Sequence, residues 1–347
     1  MANNELYIKE QFQLKGIHHV TAITSSAQHI YEFFSNILGL QLAKVTVNQD
    51  DYQTYHLYFT DENGAAGTDM TFFDFPNIPK GSKGTNSIQR TSFRVPSNQS
   101  LVYWQNRFNE AGIKHQAIQM RFDKQYLEFE DFDGQQYQLI SDENNLGVAS
   151  GQPWKQSNVS LEHAITGLGP VFVAVNNLEL ITLALESVLG FRKTAQAGNL
   201  HLYEVGLGGN GGSIIIEEDT NSSPAIEGYG SIHHLALRVK DQEGLNYWIN
   251  RLKSFRLPQS GLVDRFYFQS EYFRVAPQIL FEIATDGPGF WVDEAKEKAG
   301  LQLSLPPHLF PDDEATKAQA AAKLRPLDTA DARSKRTVEW KITDIIR

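Results

Sequence analysis

The sequence predicts an α+β chain made of four βαβββ modules, paired into two half-barrel domains and followed by a C-terminal helical arm. Three observations carry this expectation. The chain has 347 residues, more than the roughly 250–300 that a single hydrophobic core organises. The phrase "GIHHVTAITSS" from Gly16 returns as "SIHHLALRVKD" from Ser231, and two degraded copies lie between them, "IQRTSFRV" from Ile88 and "LGPVFVAV" from Leu168. Each copy is an apolar, strand-like run, followed by helical periodicity and then by alternating strands.

Module one begins with a strand at Ile17. The following "SAQHIYEFFSNILGL" sets Ile30, Phe33, Phe34, Ile37 and Leu38 at helical spacing and offers Gly39 as its stop. "YQTYHLYFTDENGAAGTDMTFFDF" then reads as strand, Gly/Asp turn, strand. Module two, from Ile88, closes with "RFDKQYLEFEDFDGQQYQLIS"; module three, from Leu168, repeats the helix as "LELITLALESVLGF"; module four starts at Ile232 and ends in "QILFEIATD". A module of this kind leaves one sheet face open, and a second module closes it into a curved half-barrel around a cavity. Pairing consecutive modules gives domains at 14–150 and 160–300, joined through the polar stretch "DENNLGVASGQPWKQSNVS". Residues 301–347 hold a Pro break and an Ala-rich helix, an arm expected to pack on the body or on a second copy of the chain in a homo-oligomer.

Hydrophobic residues at 41% and charged residues at 21% are a globular balance, and no apolar run approaches the roughly 18 residues of a membrane span. The N-terminal "MANNELYIKEQFQ" has neither the basic start nor the apolar centre of a secretory signal. A cytoplasmic protein with no membrane partner is expected. With 31 basic against 41 acidic residues the net charge is -10, which argues against nucleic acid, since phosphate contacts need clustered Lys and Arg. There is no cysteine, so disulfides, thiol nucleophiles, iron–sulfur clusters and Cys-type zinc sites are excluded. Any metal must be held by imidazole and oxygen. "GLGGNGG" from Gly206 links two strands with no helix after it, so it reads as a loop rather than a nucleotide fingerprint, and no GxSxG motif occurs.

The phrases "GIHHVT", "YHLYFTDENGAAGT", "IHHLALRV" and "DRFYFQSEYFRVAPQILFEIATD" together resemble the vicinal-oxygen-chelate superfamily of glyoxalases, bleomycin-resistance proteins and extradiol ring-cleaving dioxygenases. Within it the chain is similar to the hydroquinone-type ring-cleaving dioxygenases, over about Lys15 to Gly289. The resemblance implies glyoxalase-like half-barrels and a metal centre with a carboxylate ligand in the last strand of a module.

Strand parity selects the residues. Neighbours in a strand point to opposite faces. His233 shares parity with Leu235, Leu237 and Val239, whereas His234 shares it with Ala236 and Arg238. That makes His234 the cavity-facing imidazole, and the same register selects His19, beside Thr21. "QILFEIATD" puts Glu282 at the family's carboxylate position; the matching residues elsewhere are Thr71, Gln138 and Ile216. The first-strand ligand positions degrade likewise, to Gln89 and Arg90 in module two and to Gly169 and Pro170 in module three. Ligand-type residues therefore survive at His19, His234 and Glu282. By resemblance, His18 and His233 support the ligands, Thr21 lies near the metal, and Arg265, Tyr272 and His233 take part in catalysis. His29, His56, His115, His163, His201 and His308 are expected to be structural or exposed.

Two imidazoles and one carboxylate suit Fe(II) with positions left open for two reactants; Mn, Zn or Ni are alternatives. The expected function is Fe(II)-dependent extradiol-type cleavage of hydroquinone or a substituted hydroquinone by dioxygen, with the site bridging the two domains. A metal-dependent glyoxalase-like isomerase or lyase, and a non-catalytic binder of aromatic compounds, are the competing readings.

Overall fold

The computed structural model describes residues 7–144, 146–311, 313–337 and 339–346. All four modules run strand, helix, three strands. Module one holds β1 (Ile17–Ile23), α1 (Ala27–Glu32, continued by one wider turn over Phe33–Ile37), β2 (Gln41–Asn48), β3 (Asp51–Thr60) and β4 (Asp69–Asp74). Module two holds β5 (Ser87–Val95), α2 (Asn98–Ala111), β6 (Gln119–Arg121), β7 (Lys124–Glu130) and β8 (Gln136–Ser141). Module three holds β9 (Gly167–Val175), α3 (Leu178–Leu183, continued over Ala184–Val188), β10 (Arg192–Ala197), β11 (Leu200–Glu204) and β12 (Ser213–Glu218). Module four holds β13 (Ser231–Val239), α4 (Gln242–Ser254), β14 (Val263–Asp264), β15 (Phe268–Ala276) and β16 (Ile279–Pro288).

The turn from first strand to helix is written the same way each time. Ser26, Ser97, Asn177 and Asp241 each cap their helix by accepting a backbone N–H three residues on, which satisfies one of the amides that a helix start leaves open. Gly39 follows the first helix at φ +75°, a conformation that L side chains rarely adopt, and a Cβ there would fall 2.2 Å from Ser157 Oγ. The expected stop is confirmed.

The pairing of modules differs from the sequence expectation. One eight-stranded sheet has the order β14-β15-β16-β13-β1-β4-β3-β2 and the other β10-β11-β12-β9-β5-β8-β7-β6. The half-barrels thus join module one to four and module two to three, so 14–150 and 160–300 are not the units the sheets form. At the centre of the first sheet β1 runs antiparallel to β13, with Val20 opposite Leu235 and Thr21 opposite His234. The physical reason lies in the connections. Residues 75–86 and 219–230 are long enough to carry the chain from one sheet to the other, and they brace each other through bridges Lys80 to Tyr229, Ser82 to Ile226 and Thr85 to Pro224. The stretch 142–160 is no loose joint either, because Trp154 and Val159 are buried.

A continuous hydrophobic core joins the two sheets. Phe34 on the first helical segment packs against Phe72 of one sheet and Phe93 of the other, with ring centroids 4.8 and 5.9 Å away. Near this seam Arg94 donates from Nε to Asp142 Oδ2 at 2.9 Å, both side chains buried, and Asn210 donates to Asp142 Oδ1 at 2.8 Å. Asp142→Ala withdraws the carboxylate from a buried guanidinium. A loss of about 3–5 kcal/mol is expected in chemical denaturation, the scale for breaking a buried pair; a loss under about 1 kcal/mol would contradict this.

The arm packs on the body. Leu303 bridges Val45 and Arg333 donates to Gln41 Oε1 and Leu42 O at 2.8 Å, while just before the arm Asp293 meets the buried Lys44 at 2.8 Å. It covers β2, the outer strand of the first sheet, whose open backbone groups would otherwise invite pairing. The Ala-rich helix, α5, spans Glu314–Ala321. Among the described residues no helix is long and apolar enough to cross a membrane.

Candidate metal centre

His19 on β1, His234 on β13 and Glu282 on β16 converge inside the first half-barrel. β13 and β16 are parallel, with Ala236 opposite Glu282, so Glu282 sits one residue pair beyond His234 on the same face. The Nε2 atoms of His19 and His234 are 3.2 Å apart, and Glu282 Oε2 lies 3.3 Å from the first and 3.1 Å from the second. All three side chains are buried. The site expected to bridge two domains is instead built within one sheet, between the first and last modules.

The tautomers follow from the neighbours. His18 Nε2 lies 3.0 Å from the carbonyl of Thr285, which can only accept, so this nitrogen carries a proton. Burial, with His19 beside it, pushes His18 down to about 3, so the ring is neutral and its Nδ1 is an acceptor. His19 Nδ1, 2.9 Å away, must then donate, and its Nε2 lone pair faces Glu282 and His234. This is how a supporting partner orients a metal-binding imidazole. The second pair repeats the contact, His233 Nδ1 to His234 Nδ1 at 2.8 Å.

The donor set fits a cation. Ser270 hydrogen-bonds Glu282 Oε1, but Oε2, fully buried, accepts no hydrogen bond. Burial favours the neutral acid, yet the flanking imidazoles hold the Glu282 carboxyl well below the usual range. His234, in contrast, is lowered by burial more than the carboxylate raises it. A fully buried carboxylate oxygen that faces two ring nitrogens and accepts no hydrogen bond is a setting that favours a bound cation. Ligand atoms about 3 Å apart are also what ~2.1 Å metal–ligand bonds at right angles produce.

A cavity of about 330 Å³ opens over His19 and His234, lined among others by Phe73, Phe268, Arg265, Tyr272, His56 and Tyr58. Arg265, in the turn between β14 and β15, donates from Nε to Tyr272 OH at 3.0 Å and grips Asp50 with both terminal nitrogens at 3.2 and 2.8 Å. Tyr272 stands edge-on to His234, centroids 5.9 Å apart. Burial and the charge of Glu282 push its phenol above the ordinary value, so it remains a proton donor at neutral pH. A larger cavity, about 600 Å³, lies under the crossing connections. Of the eight candidate residues it touches His233 alone, so its size does not make it the reaction site.

Each sequence candidate is therefore at or beside the centre: His19, His234 and Glu282 as the converging donors, His18 and His233 behind them, Thr21 2.9 Å from His234 Nε2, and Arg265 and Tyr272 on the cavity wall. His56, expected to be structural or exposed, lines the cavity instead. Its neighbour Tyr58 joins it there, and Thr71 lies behind, 2.9 Å from His56 Nε2. The shared parity of His56 and Tyr58 in "YHLYF" was the available signal, but "LHLYE" in module three repeats it with His201 and Tyr203, so the repeat did not set His56 apart.

This half-barrel, with two imidazoles and a carboxylate at its centre, defines a protein of the βαβββ type with a candidate metal site. The chain belongs to the glyoxalase/bleomycin resistance protein/dioxygenase superfamily. The family model matches residues 16–139, and the relative named "Putative ring-cleaving dioxygenase MhqA" of Bacillus subtilis (strain 168) is 39% identical over 91% of this chain and 99% of its own. The chlorohydroquinone/hydroquinone 1,2-dioxygenase of Sphingobium indicum is 29% identical over 86% of this chain and 93% of its own. The crystal structure of a "putative dioxygenase" from Bacillus subtilis superposes with a TM-score of 0.83 at 32% identity, covering 91% of this chain and 98% of that one. Glyoxalase I from Zea mays shares the fold at 11% identity, with a TM-score of 0.55 over 80% of this chain and 94% of that one.

Proposed function

We propose that the chain is an Fe(II)-dependent extradiol-type dioxygenase that opens the ring of hydroquinone or a substituted hydroquinone. The observation that carries this is the buried triangle of two imidazole lone pairs and one carboxylate oxygen that lacks a hydrogen bond. Names carried by relatives at 29–39% identity support the ring-cleaving chemistry and its substrate class. His19, His234 and Glu282 would hold the metal, which when bound supplies the redox link between an electron-rich ring and dioxygen. The reaction breaks one ring carbon–carbon bond and leaves both oxygen atoms in the product.

The protein's own residues position the ring. A hydroquinone has no second hydroxyl beside the first, so one oxygen must be aligned by side chains. Arg265, fixed by Asp50, presents positive charge to a developing oxyanion, and Tyr272 offers an O–H donor beside it. Phe73 and Phe268 give the ring an apolar berth and keep water from the reacting carbon. His233, between the two cavities, holds His234 in place through Nδ1.

Oxygen uptake by protein reconstituted anaerobically with Fe(II) tests the reading, using hydroquinone, methylhydroquinone and catechol, with His234→Ala as the control for autoxidation. Uptake of one dioxygen per ring lost, in the wild type only, is expected, with both hydroquinones ahead of catechol. Turnover with Zn, Mn or Ni and no oxygen consumed would replace the reading with an isomerase or lyase. Ligand binding without turnover would replace it with a binding protein.

A further inference from the structure

The two modules of the first half-barrel meet the centre in matching ways, and the one mismatch is informative. Thr21 pairs with Thr71 between β1 and β4 as Ala236 pairs with Glu282 between β13 and β16. Thr71 therefore stands where a fourth ligand would stand. From it a chain of hydrogen bonds runs across β3: Tyr58 OH to His56 Nδ1 at 2.8 Å, His56 Nε2 to Thr71 Oγ1 at 2.9 Å, Thr71 Oγ1 to Thr21 Oγ1 at 2.7 Å, and Thr21 Oγ1 to His234 Nε2 at 2.9 Å.

The proton order can be read from its far end. Tyr58 is buried and kept un-ionised because burial pushes its phenol well above the ordinary value. Its hydroxyl has one proton to give, and its hydrogen-bond partner is His56 Nδ1. A phenol buried this way is costly unless it donates. His56 Nδ1 is then an acceptor and Nε2 carries the ring proton. Thr71 accepts from that Nε2–H, so its own proton goes to Thr21. Thr21 accepts from Thr71, so its proton points to His234 Nε2, one corner of the triad. Every donor in the chain has an acceptor in this order; in the reverse order the Tyr58 proton has none.

We infer that Tyr58, His56 and Thr71 form a one-way donor chain that turns the Thr21 hydroxyl towards the reacting centre, and that His56 and Thr71 are positioning residues acting through Thr21. The inference rests on the dioxygenase reading for its consequence: with the Nε2 lone pair of His234 committed to the metal, the Thr21 O–H would be left to donate to reactant oxygen. Because the donor is already oriented, no reorganisation is needed when negative charge develops there. Thr71, at the position Glu282 holds in module four, thus contributes to a donor wall.

Two measurements decide it. Nitrogen-15 NMR of the imidazoles in metal-free protein should show His56 protonated at Nε2 and not at Nδ1; protonation at Nδ1 alone would reverse the chain and overturn the inference. The second compares Thr71→Val, which deletes the relay in the same volume, with Thr71→Ser, which keeps it. Thr71→Val should lose about tenfold or more in kcat, the scale of one hydrogen bond to developing charge, with Fe(II) content and the anaerobic Kd for hydroquinone within about threefold of the wild type. Thr71→Ser should recover most of the rate. An unchanged kcat in Thr71→Val, or an equal loss in both variants, would overturn it. If the wild type consumes no oxygen with any hydroquinone, the dioxygenase reading fails and the NMR result still decides the order of the chain.

Discussion

Glu282→Gln is expected to leave the fold intact while abolishing iron retention and bringing oxygen uptake down to the autoxidation background. The side chain keeps its shape, and Ser270 can still hydrogen-bond the remaining oxygen. What disappears is the single negative charge among the three donors. Two neutral imidazoles alone leave a dication uncompensated in a buried site, so affinity should fall by at least the ~100-fold associated with weaker perturbations around a ligand. Only the wild type gains binding free energy in the folded state, so Fe(II) should raise its unfolding temperature and leave that of the variant unchanged. Thermal unfolding with chelator and with Fe(II), alongside metal analysis, reads both effects. Iron retained at one equivalent by Glu282→Gln would refute the ligand assignment.

The module pattern and the three donors were legible in the sequence because both depend on local rules. A Ser, Asn or Asp cap follows the first strand of every module, and it, helix periodicity and turn glycines each need only a few neighbouring residues to act. His234 rather than His233 followed from strand parity, and the degradation of the same positions in modules two and three separated ligand from ordinary histidine. In the second sheet the space has been rebuilt with charge pairs: Glu128 binds Arg90 and also Arg121 at 3.2 Å, and Arg121 lies 3.3 Å from Gln138, the residue matching Glu282. The pairing of modules was not legible. The first strand of each module offers a similar apolar edge, so parity and propensity are satisfied equally by β1 with β5 or with β13. His56 was missed for a related reason, since its role depends on Thr71 across the strand, and the similar "LHLYE" of module three has Ile216 at the position of Thr71.

That ambiguity gives the prediction with the largest effect on folding. Residues 1–150 produced alone should fail to form a stable domain, despite containing two whole modules. In the intact chain the inner edge of β1 is occupied by β13 and that of β5 by β9, so the fragment leaves two long apolar strands with unpaired backbone groups, the condition that favours aggregation. It also lacks half of the shared core, since the aromatic cluster around Phe34 reaches both sheets. The fragment should be insoluble or lack a cooperative unfolding transition. Producing 1–150 together with 151–347 should restore a folded complex that binds Fe(II), because every strand then finds its partner and His19 meets His234 and Glu282 again. A soluble 1–150 fragment with a sharp unfolding transition would show that β1 and β5 can pair directly. The two-sheet arrangement would then owe its existence to the stronger match of β1 with β13, and the metal centre, which only that match assembles, would be the reason to keep it.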